Sequence, residues 1–251
     1  MRSQRIQEIE NYIYEQKTVT LDQICQHFGI SKSTIRRDLE QILQNGNIKK
    51  IYGGVTVQSK KELISFHERN IAHLAEKERI AKKAAEMVSD GDIIFIDSGT
   101  TTLHMIDALA DRRKLTVLTN NFEVIYRAIP YENINLISLS GTLNRKTLSF
   151  TGPSAAQVLG AYNVSKAFMA ATGFSVESGV TNSSPVESDV KRVAVQRSQQ
   201  VVLLADHFKF DTVSLITYCN LEQIDTLVTD TMPGEKIAKF MQEHGGRIVL
   251  A

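Results

Sequence analysis

The sequence lacks the features of several large protein classes. It has two cysteines, Cys25 and Cys219, which lie far apart in the chain and provide no disulfide framework. No apolar run approaches the roughly 18 residues that a membrane-spanning helix requires. The first residues lead directly into a charged amphipathic segment, which is unlike a secretory signal peptide. We therefore expect a cytoplasmic protein with no membrane partner.

The sequence also lacks the usual signals for metals, nucleotides and repeats. None of its six histidines belongs to a pair at zinc-ligand spacing, and His27 near Cys25 has no second pair to complete a site. No G-x-x-x-x-G-K-[ST] loop is present, which argues against nucleotide hydrolysis. We find no internal repeat and no low-complexity tract. The sequence predicts no metal site and no cofactor.

The charge is nearly balanced overall, with 29 basic and 28 acidic residues, but it is unevenly distributed. Residues 1–57 hold eight basic and six acidic residues, which leaves 21 basic and 22 acidic residues for the remainder. The pattern of apolar residues divides the chain into a small domain at 1–57, a polar linker at 58–74 and a larger domain at 75–251. The excess positive charge therefore lies in the small domain.

The small domain has the pattern of three helices followed by a hairpin. Thr20 and Gln23 form a capping-box pair at the start of the second helix. Ser31 is a candidate N-cap for a third helix, which residues 45–46 (Asn-Gly) should end. Two short strands follow within residues 48–57, around a Gly-Gly turn. This order predicts a winged helix-turn-helix.

The third helix has an apolar face and a basic face, as a helix that enters the major groove requires. Residues 31–52 contain five basic residues and two acids. Arginine can pair bidentately with guanine, whereas hydroxyl and lysine side chains suit phosphate. The candidate DNA-binding residues in the helix and hairpin are Ser31, Lys32, Ser33, Thr34, Arg36, Arg37, Lys49, Lys50 and Tyr52. Asp38 has the opposite sign and is expected to orient an arginine.

The larger domain alternates apolar strands with helices, which indicates βαβ units and a mainly parallel sheet. The strand at 93–96 ends in the hydroxyl-rich turn Asp97-Ser98-Gly99-Thr100-Thr101-Thr102, and a helix should follow at 103–109. Backbone N–H groups at a helix start and nearby hydroxyls suit an anion. Further polar turns, which contain Asn120, Gly141, Gly173, Asp206 and Lys209, follow other strands. These turns are expected to line one pocket at the carboxyl edge of the sheet.

The residue run 30–39 (ISKSTIRRDL), closed by residues 48–54 (IKKIYGG), resembles the signature of the DeoR family of sugar-metabolism repressors. That resemblance implies that Ser33, Thr34, Arg36 and Arg37 lie near bases or phosphates of double-stranded operator DNA. The wing departs from the family pattern, since Lys50 stands where arginine is usual and Tyr52 where histidine is usual. Bidentate recognition by the wing is therefore not expected.

The stretch from about residue 75 to the end resembles the DeoR-type sensor domain, which is related in fold to ribose-5-phosphate isomerase. The resemblance implies that residues 98–102 hold the phosphate of a sugar or polyol effector and that Lys209 faces its sugar end. In detail the chain resembles the members that repress myo-inositol catabolism genes. The expectation is a homo-oligomeric repressor, without enzymatic activity, that a phosphorylated intermediate releases from its operator.

Two other functions are compatible with parts of the pattern. Glu187 and Lys209 could serve as base and polarising cation of a phosphosugar isomerase. Against this, Glu187 and Asp189 lie on a charged segment that has the pattern of a solvated helix face. A helical unit with a hairpin could also bind protein rather than DNA. A gel-shift assay and a phosphosugar turnover assay distinguish these alternatives.

Overall fold

The computed structural model describes residues 2–16, 18–44, 48–57 and 65–251 of the chain. By its internal contacts the chain divides into two compact units, Met1–Glu62 and Leu63–Ala251. Among the described residues, no helix is both long enough and apolar enough to cross a membrane.

The first unit contains three helices and a three-stranded antiparallel sheet. Its elements are α1 (Arg2–Gln16), β1 (Thr18–Thr20), α2 (Leu21–Phe28), α3 (Lys32–Gln44), β2 (Ile48–Ile51) and β3 (Gly54–Val57). The strands are ordered β1-β3-β2. The predicted capping box is confirmed, because the Thr20 hydroxyl accepts a hydrogen bond from the Gln23 N–H and the Gln23 side chain accepts one from the Thr20 N–H. The predicted stop of α3 at residues 45–46 lies outside the described residues.

The core of the first unit is aliphatic and is drawn from every one of its elements. Its buried members are Ile9, Ile13, Val19, Ile24, Ile35, Leu39, Ile42, Ile48 and Val55. The spacing of Ile35, Leu39 and Ile42 places them on one face of α3, which leaves the opposite face for solvent. Burial of an aliphatic side chain contributes about 1.5–3 kcal/mol, so this small core can hold α3 in place.

The second unit is an α/β domain. Its helices are α4 (Phe66–Ile71), α5 (Leu74–Ala85), α6 (Phe122–Ala128), α7 (Pro153–Gly160), α8 (Pro185–Arg197) and α9 (Glu235–Glu243). Its strands are β4 (Ile93–Ile96), β5 (Leu115–Thr119), β6 (Ile134–Ser138), β7 (Thr142–Asn144), β8 (Ser149–Thr151), β9 (Val164–Ala170), β10 (Gly173–Ser175), β11 (Gly179–Asn182), β12 (Ser198–Leu204), β13 (Ile216–Cys219), β14 (Thr226–Thr229) and β15 (Arg247–Leu250). Three 3₁₀ helices lie at Thr102–Leu109, His207–Lys209 and Leu221–Gln223.

Seven parallel strands form the main sheet, in the order β15-β14-β12-β9-β4-β5-β6. Successive residues of one strand belong to different cores. Phe95 belongs to the core that includes residues of α7, α8 and α9, whereas Ile94 and Ile96 belong to the core that includes residues of α5 and α6. Both faces of the sheet are therefore covered, as the continuous apolar strands indicate. The predicted α/β fold with a mainly parallel sheet is confirmed.

Three features of the second unit differ from the pattern in the sequence. Residues 66–71, inside the range predicted as linker, form α4 with a capping box of Ser65 and Glu68 and a buried Phe66. The helix that follows the hydroxyl-rich turn is a 3₁₀ helix and begins at Thr102. A separate antiparallel sheet, β10-β11-β13, and the hairpin β7-β8 were not predicted. Short strands of three or four residues carry too little alternation to be recognised.

Candidate functional site

Helix α3 presents a polar, basic face to solvent. Lys32, Ser33, Arg36 and Arg37 are exposed, and Thr34 is partly exposed. The predicted contact residues of the helix therefore share its solvent face. Lys32 also forms an exposed ion pair of 2.5 Å with Asp22. An exposed pair contributes little free energy, so its loss would cost little when DNA phosphate competes for the lysine.

A hydroxyl cluster surrounds the start of α3. The Ser31 Oγ lies 2.9 Å from the Ser33 Oγ and 3.0 Å from the Thr34 Oγ1, and it accepts a hydrogen bond from the Thr34 N–H at 3.4 Å. Ser31 thus caps the helix, as its position in the sequence predicts. The cluster places hydroxyl donors beside the first-turn N–H groups, where a phosphate would be bound.

Asp38 is buried and orients an arginine, although not one on its own helix. Its Oδ2 accepts hydrogen bonds of 2.8 Å from both the Nε and an Nη of Arg5 on α1. The ion pair fastens α1 to α3 across 33 residues of sequence. Asp38 therefore stabilises the position of the basic helix and leaves Arg36 and Arg37 exposed.

The hairpin β2-β3 forms the wing. The backbone of Lys49 pairs with Thr56, whereas its side chain lies outside the described part of the structure. Lys50 is exposed, and Tyr52 at the tip of the turn is fully exposed. A large aromatic side chain with no packing partner at a turn is available for contact with another molecule.

In the second unit, the chain reverses direction across the sheet between β4 and β9. From β4 the order continues through β5 and β6 on one side and through β9, β12 and β14 on the other. Ligands of open α/β sheets bind beyond the carboxyl ends of the strands at such a point. We call the residues that follow β4, β5, β9 and β12 there the strand-end site.

The hydroxyl-rich turn, residues 97–102, lies at the carboxyl end of β4. Residue 99 must be glycine, because a Cβ there would lie 2.1 Å from the Cβ of Ala170 on β9. The turn therefore lies against the neighbouring strand, directly at the reversal point. The side chains of Ser98, Thr100 and Thr101 are buried.

Two predicted effector-binding residues of this turn have internal partners instead. Asp97 is fully buried, forms an ion pair with the Lys191 ammonium group and accepts a hydrogen bond of 2.9 Å from the Ala170 N–H. The Thr102 hydroxyl donates to the carbonyls of Asp97 at 2.7 Å and Gly99 at 3.0 Å. Both side chains stabilise the turn from within the protein, because the Thr102 proton and the Asp97 Oδ2 are already engaged in these contacts.

Two buried side-chain oxygens of the strand-end site have no hydrogen-bond partner among the described residues. They are Oδ1 of Asn120, which follows β5, and Oδ2 of Asp206, which follows β12. Asn120 is 1% exposed and Asp206 is 0% exposed. An orphaned buried acceptor costs about 1–3 kcal/mol, which a ligand hydroxyl could relieve. Lys209, three residues after Asp206, is partly buried.

Glu187 is also buried, contrary to the solvated face that its charged segment predicts. Its carboxylate accepts hydrogen bonds from the Ser149 hydroxyl at 2.6 Å and the Asn182 amide at 3.2 Å. Asp189 occupies the outer face of α8, where it pairs with Arg192 at 2.8 Å. Helix α8 therefore carries inward charges at Glu187 and Lys191 that a helix period could have identified.

The two glycines predicted to bind the effector, Gly141 and Gly173, pack closely against other backbone. A Cβ at residue 141 would lie 2.4 Å from the carbonyl oxygen of Thr151, and a Cβ at residue 173 would lie 2.4 Å from the carbonyl oxygen of Thr212. These contacts alone account for glycine at both positions.

A cation lies close to the strand-end site. The Lys77 side chain is buried on α5, and burial lowers its pKa to about 8 although the nearby Asp206 carboxylate raises it. Within the described residues, no group of three histidine, cysteine or acidic side chains could hold a metal ion. The side chains at and around the site offer hydroxyl, amide, carboxylate and ammonium groups.

Comparison with known protein families identifies both units. Residues 5–61 match the DeoR-like helix-turn-helix domain, and residues 72–231 match the DeoR C terminal sensor domain.

The matches to two transcriptional regulators extend over nearly the whole chain. The chain is 41% identical to the HTH-type transcriptional regulator IolR of Bacillus subtilis over 251 residues, which is 100% of each chain. It is 26% identical over 243 residues to the glycerol-3-phosphate regulon repressor of Escherichia coli, which covers 97% of this chain and 96% of that one. A solved ribose 5-phosphate isomerase A from Methanocaldococcus jannaschii matches at 21% identity and a TM-score of 0.40, with 53% of each chain covered.

Proposed function

Because the chain belongs to the DeoR family of helix-turn-helix transcriptional regulators, we propose that it represses a carbohydrate or polyol catabolic operon. A phosphorylated intermediate of the pathway releases it from the operator. The full-length similarity to IolR supports an operon of myo-inositol catabolism. The observation that carries the proposal is the exposed basic face of α3, held on a buried aliphatic core.

On the DNA side, the side chains have separate roles. Arg36 and Arg37 read base edges, because they lie on the free face of α3 and carry planar forks that match guanine. The hydroxyls of Ser31, Ser33 and Thr34 and the ammonium groups of Lys32, Lys49 and Lys50 bind phosphates. Tyr52 contacts the backbone from the tip of the wing.

On the effector side, the hydroxyls of Ser98, Thr100 and Thr101 and the N–H groups of the turn hold the phosphate. Asn120, Asp206 and Lys209 bind the hydroxyl groups of the carbon chain, which is supported by the orphaned oxygens of the first two. Asp97 and Lys191 fix the floor of the site. The family relatives are named transcriptional regulators, and we propose that this site binds its metabolite without converting it.

A gel-shift assay with the DNA upstream of the genes that neighbour its own tests the repressor function. We expect a retarded band at nanomolar protein that excess unrelated DNA does not abolish. A fragment of the same length and base composition with a scrambled sequence is the control. Equal retardation of both fragments would contradict operator recognition.

The protein is proposed to act as a homo-oligomer. Helix α6 contacts β6, the edge strand of the main sheet. The large side chains of Phe122 and Tyr126 on this helix are exposed, as is that of Ile129 directly after it. These residues follow helical spacing and form one apolar stripe. A second copy of the same chain is the proposed occupant, since most soluble oligomers pair like surfaces about a twofold axis.

A further inference from the structure

Helix α4 is tied to three separate loops at the carboxyl edge of the sheet. The N–H of Phe66 donates to the Lys146 carbonyl in the β7-β8 turn at 2.8 Å. Asn70 lies 3.2 Å from the Nε2 of His104, in the 3₁₀ helix that follows the hydroxyl-rich turn. Just after α4, the ring of His73 stacks on Phe208 with 3.8 Å between centroids. The helix therefore spans the loops that follow β4, β6 and β12.

Arg69 lies in the middle of this helix, and its surroundings are unusual for an arginine. Its carbonyl accepts a hydrogen bond from the buried Lys77 ammonium group, which also donates to the Ala72 carbonyl at 2.7 Å. Its guanidinium carbon lies 5.7 Å from the centre of the Phe66 ring. Burial lowers the pKa of Arg69, although the charges of Glu187 and Asp97 oppose that change. The guanidinium is thus within electrostatic reach of Asp97 at the strand-end site and of Glu187 on α8.

Neither acid is hydrogen-bonded to Arg69, because both have other partners. Asp97 is paired with Lys191 and the Ala170 N–H, and Glu187 accepts hydrogen bonds from Ser149 and Asn182. Within the described part of the chain, the guanidinium has no hydrogen-bond acceptor. The side chain is only partly exposed, and its five N–H donors are available to an anion.

We propose that Arg69 binds the anionic group of the effector, so that α4 closes the strand-end site. This inference rests on the proposed function and extends it to a residue outside the strand-end loops. The planar fork of arginine matches two phosphate oxygens, and stacking on Phe66 holds that fork in one plane. Helix α4 is the first helix of the second unit along the chain. Effector binding therefore tightens the segment that follows the DNA-binding unit in sequence.

Isothermal titration calorimetry with inorganic phosphate at pH 7.5 and constant ionic strength tests Arg69 directly. We expect Arg69→Met, which keeps the stack on Phe66 but loses the charge, to bind phosphate at least tenfold more weakly. Arg69→Lys should be intermediate, since it keeps the charge without the fork. Arg192→Met is the matched control, because Arg192 is exposed and paired with Asp189, and should bind like the wild type.

Hydrogen exchange of the wild-type protein gives a second readout that needs no variant. Phosphate should slow amide exchange within residues 66–71 in the wild type, and should do so much less in Arg69→Met. Two results would overturn the role of Arg69: equal phosphate affinity of the wild type and Arg69→Met, or unchanged amide exchange at residues 66–71 in the wild type with phosphate. Neither result would contradict phosphate binding by the strand-end site itself. Absence of any phosphate binding by the wild type would overturn both.

Discussion

Single residues on α3 divide the work of stability and recognition. Arg36 and Arg37 are exposed, whereas the next residue of α3, Asp38, is buried and paired with Arg5 of α1. Alanine at Arg36 or Arg37 should therefore cost about 1–3 kcal/mol of operator binding without unfolding the domain. Fluorescence anisotropy with labelled operator measures this loss, and circular dichroism checks the fold.

A wing lysine supplies the contrast to these arginines. Lys50→Ala should weaken binding to specific and nonspecific DNA equally. It should also reduce the steepness of log K against log salt concentration by about 1, as the loss of one phosphate contact requires. Normal operator affinity in the Arg36/Arg37 double alanine variant would rule out α3 as the reading helix.

The pKa of Lys77, lowered to about 8 by burial, predicts a pH effect on anion binding. The groups that face it are Asp206, Lys209, Arg69 and Glu76. The ammonium is charged below pH 8 and loses its proton above it, so affinity for sulfate, which stays a dianion, should fall several-fold from pH 7 to pH 9.

Lys77→Met should bind sulfate weakly with a flatter pH profile. Lys83→Met, an exposed lysine paired with Glu86, is the control. A wild-type profile that is flat over this range would contradict the prediction.

Residue roles that depend on distant partners could not be predicted from the sequence. Arg5 and Asp38 are 33 positions apart, and Asp97 and Lys191 are 94 positions apart. Such pairs form only once the topology brings the elements together, so Asp97 was expected to face the ligand. The orientation expected for Asp38 came from its sign alone, and it holds because a buried carboxylate needs a cation.

At the scale of elements, the sequence predicted the features that depend on residues close together in the chain. The capping box at Thr20, the turn before α3 and the apolar strands of the main sheet follow from short-range patterns. Helix α4 carried the same kind of signal in Ser65 and Glu68, but its six residues lie in a polar stretch. The large apolar residues of Thr102–Leu109 are all buried, which the sequence indicates without distinguishing a 3₁₀ helix from an α-helix.

The hydroxyl-rich turn is the element whose change should separate sensing from DNA binding. Thr101→Glu places a negative charge in the proposed phosphate site and should repel the effector. Operator affinity should remain within about twofold, because the change lies in the other unit of the chain. Thr116→Glu, on the partly exposed side of β5, is a matched control for the added charge. A reporter strain should show constant repression with Thr101→Glu, and normal induction there would contradict the turn's role.

At the scale of the whole molecule, a twofold assembly would match a two-part operator. Ile129→Glu, in the exposed apolar stripe at α6, should break the proposed interface and yield a protein of lower oligomeric mass. Light scattering coupled to size exclusion measures the mass. Val213→Glu, an exposed apolar residue elsewhere, should leave the mass unchanged. Unchanged mass in both variants would exclude α6 as the interface.

An effector can release DNA only if it binds the DNA-free protein more tightly than the DNA-bound protein. The difference between these two binding free energies is the coupling between effector binding and DNA binding. Anisotropy of labelled operator, titrated with protein in the presence of a phosphorylated inositol-breakdown intermediate or its dephosphorylated form, measures that difference. We expect the apparent Kd for the operator to rise at least tenfold with the phosphorylated compound and to stay unchanged with the dephosphorylated one. Equal effects of the two compounds, or tighter DNA binding with the phosphorylated one, would contradict it.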